Sequence, residues 1–168
     1  MSEPKTGPAL RVRTVAEPPF SGEAVAELIR AVLDRGKAFR FRALGLSMSP
    51  FIKDGDVITV APLGAAPPRT GEIATFVHSV SGKVRVHRIV GVERGRYLLK
   101  GDNALESDGE VPAEHILGRV IRVERGGRRV WTGQGLAGAA IARALRSGWL
   151  VRGLRRAART FRREKKGT

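Results

Sequence analysis

Residues 81–99 read SGKVRVHRIVGVERGRYLL, and the fold turns on how this stretch is read. Ser81-Gly82 is a turn pair, Lys83 to Val92 is a long β-branched run, and Arg94-Gly95 turns the chain back into Arg96 to Leu99. Apolar runs bounded by glycine punctuation read as strands joined by tight turns. The same texture continues on both sides. Phe39 to Ala43 alternates apolar and basic residues with a period of two, and Asp56 to Val60 and Glu72 to Val77 are short and β-branched. Further on, Gly118 to Glu124 and Arg128 to Trp131 flank Gly126-Gly127 as a hairpin. There is no βαβ alternation and no internal repeat. The expected class is mainly β: a compact coiled sheet or barrel-like domain over residues 37–133.

Helical periodicity is confined to the flanks. Residues 1–20 hold four prolines and no apolar period, and read as a loose arm. From Ser21 to Gly36, Val25, Leu28, Ile29, Val32 and Leu33 recur at i, i+3, i+4, i+7 and i+8, one apolar face of a helix. Ser21 is placed to cap its start and Gly36 its end. Residues 134–168 form a basic amphipathic helical tail. Within it, Leu150, Val151, Leu154, Ala157, Ala158 and Phe161 share one arc of a helical wheel, after a break at Ser147-Gly148. Arg152, Arg155, Arg156, Arg159, Arg162 and Arg163 fill most of the rest, which makes a basic amphipathic helix.

The formal charge of +15 is uneven. Leu136 to Thr168 carries ten Lys/Arg and one acid, Glu164, a net +9 in 33 residues. The tail is therefore the part that suits a polyanionic partner. The chain has no cysteine, which excludes disulfides, thiolate chemistry and cysteine-based zinc sites. No apolar run approaches the ~18–20 residues of a membrane-spanning helix. Residues 1–20 lack the apolar core of a secretory signal. The expectation is a cytoplasmic chain with no cofactor and no metal, held to a membrane only peripherally.

Acyl transfer needs a serine, a base to take its proton, and a carboxylate to hold that base in one tautomer. The chain supplies these types in order: Ser47 in Gly45-Leu46-Ser47-Met48-Ser49-Pro50, His87 in Val86-His87-Arg88, and Asp102 in Gly101-Asp102-Asn103, with Asp108 six residues on. Gly45 lets the backbone turn sharply before Ser47, so that the Ser47 N–H can face a developing oxyanion. Each piece alone is an ordinary turn or strand residue. His78 and His115 get only that ordinary reading, and three histidines without cysteine give no metal-ligand spacing.

Taken together, Gly45-x-Ser47-Met48-x-Pro50, Gly55-Asp56, Gly71-Glu72, His87-Arg88, Gly101-Asp102-Asn103 and Leu117-Gly118-Arg119-Val120 resemble the ordered sequence boxes of the signal peptidase I family, among serine peptidases of the S24/S26 type. The resemblance covers residues 38–124. It implies a coiled β catalytic domain that cuts leader or signal peptides after small residues. It assigns Ser47 as nucleophile and His87 as base, in the histidine branch found in archaea and the endoplasmic reticulum rather than the lysine branch. Both aspartates match that branch. Asp108 is favoured to orient His87 and Asp102 to shape the site, although spacing leaves open which one touches the ring. With a histidine base, activity is expected to fall below about pH 6, near the unperturbed histidine value of about 6.5.

The chain departs from that family in lacking an N-terminal transmembrane helix and a long apolar hairpin. The basic tail is a substitute anchor on anionic lipid, or else packs on the domain. Three rivals remain. Self-cleaving repressors share the Ser-Met box but use a lysine base behind a DNA-binding helix-turn-helix, which the single helix here does not provide. A nucleic-acid-binding protein suits the pI near 11.5 but not the scarcity of aromatics. A non-catalytic peptide-binding relative would be expected to show a broken residue set.

Overall fold

Helix α1, Gly22–Asp34, turns its Ala26, Ile29 and Leu33 inward, and the computed structural model describes the chain from here to residue 147. The helix stops where the sequence puts a residue free to adopt positive φ. Gly36 sits at φ 71°, its N–H donates to Leu33 O, and Lys37 N–H donates to Val32 O. Leu28, on the expected apolar face, is 52% exposed. It lines a groove instead of the core.

Eight strands follow: β1 Phe39–Arg42, β2 Val57–Ala61, β3 Ile73–Val77, β4 Val84–Glu93, β5 Arg96–Lys100, β6 Ser107–Pro112, β7 Ile116–Arg125 and β8 Arg128–Arg129. They form one antiparallel sheet in the order β1-β2-β7-β3-β4-β5-β6, with β8 paired to β7. The register shifts between β2 and β7, β3 and β7, β4 and β5, and β5 and β6. Such bulges bend and twist a sheet. Among the described residues β1 and β6 end the path and do not pair with each other, so the sheet coils but does not close into a barrel.

Two apolar clusters hold the sheet. One lies under α1 and joins Ile29 and Leu33 to Ile58, Val60, Ile73, Val120 and Val123. The other gathers Phe76, Ile89, Tyr97, Leu99 and Val111. Each fully buried side chain of this size contributes about 1.5–3 kcal/mol relative to exposure. A third, smaller cluster packs helix α2, Leu136–Arg146, against β4 through Val90, Ala142 and Leu145.

Two elements differ from the sequence reading. β6, Ser-Asp-Gly-Glu-Val-Pro, has neither alternation nor a β-branched run, and it is a strand because β5 pairs with it from Arg96↔Pro112 to Lys100↔Ser107. α2 begins the region read as a single tail, and ends where Ser147 N–H bonds Arg143 O, at the break seen in the sequence. The hairpin at Gly126-Gly127 is present with both glycines at positive φ, but β8 has two residues, not four. The arm over 1–20, the Ser21 cap and the basic helix within 150–161 lie outside the described residues.

Candidate active site

Ser47 stands on a turn that leaves β1 and is pinned at both ends. Gly45, at φ 85°, donates its N–H to Asp54 Oδ1 at 2.7 Å. Ser49 N–H bonds Leu46 O, and Ile52 N–H bonds Met48 O. Met48 and Ile52 sink into the core beneath, which leaves Ser47 exposed above them. Behind the turn, Asp56 accepts from Lys53 N–H and, through both oxygens, from the Arg125 guanidinium at 2.8 Å. Burial pushes the Asp56 carboxyl up, but the Arg125 hydrogen bond and the Lys53 N–H outweigh it and hold it below the ordinary 3.8.

His87 lies on β4, buried, with its ring beside Phe76. Its Nε2 is 3.0 Å from Ser47 Oγ, and its Nδ1 is 2.5 Å from Asp108 Oδ2. Asp108 is supplied by β6, the strand that local pattern does not disclose. Burial raises the Asp108 carboxyl, yet His87 and then Arg85 pull it down further, and it rests below 3.8. An ionised carboxylate only accepts hydrogen bonds. Nδ1 therefore carries the proton toward Asp108, and the Nε2 lone pair faces the serine hydroxyl. This is the arrangement a general base needs.

Of the two aspartates, the structure puts Asp108 on the imidazole and Asp102 elsewhere. Asp102 takes Arg88 Nε and Nη2 bidentately, both at 2.8 Å, and Arg88 is fully buried. Its remaining donors reach Gly71 O, Gly133 O and Thr132 O, while Phe51 lies 5.4 Å from the guanidinium carbon. All five guanidinium donors are thus used. The pair ties β4, just beyond His87, to the Gly101-Asp102-Asn103 loop and to the segment before α2. The loop in turn grips the serine turn, since Asn103 N–H donates to Ser47 O at 2.8 Å. Gly101 is what allows this proximity: a Cβ there would lie 2.6 Å from Ser47 O and 3.2 Å from His87 Nε2.

Beside these residues runs an open groove of about 1230 Å³, walled by α1, β1, the first half of β4 and residues 104–108. Small-molecule pockets run to about 300–1,000 Å³. Leu28, Phe39, Phe41, Leu44 and Leu105 give the groove an apolar lining, and Leu44 and Leu105 are largely exposed. Among the described residues its β1 wall pairs with β2 alone. Among the described residues no cluster of His, Asp and Glu could hold a metal, and no helix is long and apolar enough to cross a membrane. The arginines expected to contact an anionic surface, Arg152 to Arg163, lie outside the described residues.

Sequence reasoning missed Arg85, whose Nη1 bonds Asp108 Oδ1 at 2.7 Å. Its signal was the two-residue spacing from His87, which puts both on one face of β4. His78 and His115 bond neighbouring serines, His78 to Ser81 and His115 to Ser79.

Fold and site together define a domain of the serine-peptidase type. The chain belongs to the Peptidase S24-like family, whose model matches residues 13–121, well over half its length. No curated protein matches it.

Proposed function

We propose that this chain is a serine endopeptidase that cuts leader-type peptides in trans, with Ser47 as nucleophile, His87 as base and Asp108 as the group that orients the base. The observation that carries this reading is the unbroken line from Ser47 Oγ through His87 to Asp108, at 3.0 and 2.5 Å. In the first step Ser47 Oγ bonds to the scissile carbonyl carbon while its proton moves to His87 Nε2. The imidazolium next gives that proton to the leaving amine, and water, activated by the same nitrogen, releases the acyl group. The Ser47 N–H, in the turn opened by Gly45, faces the developing oxyanion.

The groove supports a peptide rather than a small molecule as substrate. Its volume exceeds a small-ligand pocket, and among the described residues β1 offers an unpaired strand edge to an extended chain. Preference for small residues before the cut, and for leader or signal peptides, comes from the resemblance to signal peptidase I.

The test incubates wild-type protein and Ser47→Ala with a library of leader-like peptides and reads fragments by mass spectrometry. Cleavage by the wild type alone is the expected result. Fragments of the chain itself, with no peptide cut, would replace this reading with self-cleavage. Equal cleavage by both proteins would remove the serine mechanism.

A further inference from the structure

We propose that Arg85 is a positioning residue for this site, clamping the Asp108 carboxylate from the side opposite His87. The inference rests on the peptidase reading above and adds a fourth member to its residue line. Three observations carry it. Asp108 is shared: Oδ2 meets His87 Nδ1 while Oδ1 meets Arg85 Nη1 at 2.7 Å. The carboxylate side chain is only 4% exposed, whereas Arg85 is 39% exposed and lines the groove. Arg85 and His87 are two residues apart on one strand, so β4 fixes the separation of the two donors and β6 brings the acceptor.

A carboxylate bonded through one oxygen can swing about its terminal torsion, which is broad. Bonded through both oxygens it has one orientation, and the imidazole it holds has one too. Arg85 acts electrostatically as well. Its fixed positive charge stands beside the ring that must become imidazolium, and it draws on the same carboxylate. That charge also helps to hold the Asp108 carboxyl below 3.8, so that it stays an acceptor for both donors. His78, from the segment after β3, and Glu106 face the same groove. Their charges act on the wild type and on Arg85 variants alike, so a comparison of the two isolates Arg85.

The experiment compares wild type with Arg85→Gln and Arg85→Lys, with Asp108→Asn as reference. Histidine NMR follows the His87 ring and its Nδ1 proton as pH varies, and this readout needs no turnover. In Arg85→Gln the Nδ1 proton signal weakens, because the carboxylate that holds it has lost its second partner. On a cleavable peptide, Arg85→Gln loses about tenfold in kcat with little change in KM. Arg85→Lys keeps a cationic donor for Asp108 Oδ1 and with it most of the kcat and of the Nδ1 signal. An unchanged Nδ1 signal in a folded Arg85→Gln protein would overturn the clamp. A rise in KM confined to acidic peptides would also overturn it, making Arg85 a substrate contact. NMR changes as expected, but no Ser47-dependent cleavage, would keep the clamp and reject the peptidase.

Discussion

At the scale of single residues, the two aspartates differ in partner and should therefore differ in phenotype. Asp108 faces the imidazole, so Asp108→Asn presents an amide where a carboxylate was and disturbs the tautomer. The rate should fall by about 10³-fold or more, because loss of the orienting carboxylate costs that much in serine peptidases. Asp102 faces Arg88, which is wholly buried. Asp102→Ala strands that guanidinium without a counter-charge, and breaking a buried pair in this way costs about 3–5 kcal/mol. Denaturant melts alongside peptide turnover separate the two outcomes. A stable but slow Asp102→Ala, with a fast Asp108→Asn, would exchange the roles assigned to them. The sequence boxes made Ser47 and His87 legible because short motifs carry their own turn geometry: Gly45 before the serine, a strand around the histidine. The aspartate partners were not legible, since Asp102 to Arg88 and Asp108 to Arg85 are contacts made across strands after the sheet has formed.

At the scale of elements, α2 meets the sheet glycine to glycine. A Cβ on Gly138 would lie 2.6 Å from Gly71 O and 2.8 Å from Gly133 O, and one on Gly71 would lie 2.5 Å from Ala139 N. Alanine for glycine inside a helix ordinarily gains about 1 kcal/mol of propensity. Here both obstructing atoms are backbone, so the helix must move off the sheet, and overpacking of this kind costs about 1–3 kcal/mol. The collision wins. Gly138→Ala should lower Tm, and since Gly71 O and Gly133 O also receive Arg88 Nη1, turnover should drop with it. A raised Tm would mean that the helix is free to shift. The sequence reading made residues 134–168 one helical tail, and α2 is the helix at its start. Its single glycine, Gly138, serves a close approach and not a turn. β6 was hidden because its six residues have no strand character and take their conformation from pairing with β5. α1 and β1 were legible because partial burial imposed their period, and the β4–β5 hairpin because glycine turns bound a β-branched run.

At the scale of the whole molecule, the shifted groups join distant parts of the sheet and set how stability depends on pH. Asp56 links the turn before β2 to β7, and Asp108 links β6 to β4; both sit below 3.8 in the folded chain. When folding lowers a carboxyl in this way, the unfolded chain takes up the proton first as pH falls. The stability the two contribute is therefore complete above 3.8 and drains as pH drops from 3.8 through their folded values. His78 is also lowered, from 6.5, by burial first and by the Arg85 charge next, with Asp108 opposing. The unfolded chain again protonates first, so this contribution is full above 6.5 and drains as pH falls toward the folded value. The denaturation midpoint should accordingly begin to fall below about pH 6.5 and fall again below about 3.8. His78→Gln should remove its share of the upper decline and leave the lower one. Asp56→Asn should start from a lower plateau, having lost the Arg125 pair, and decline less steeply below 3.8. The mutant curves separate this linkage from general charge repulsion in a chain of net +15, which would steepen every curve alike and spare none of the steps. Parallel curves for wild type, His78→Gln and Asp56→Asn would assign the acid lability to net charge and not to His78 and Asp56.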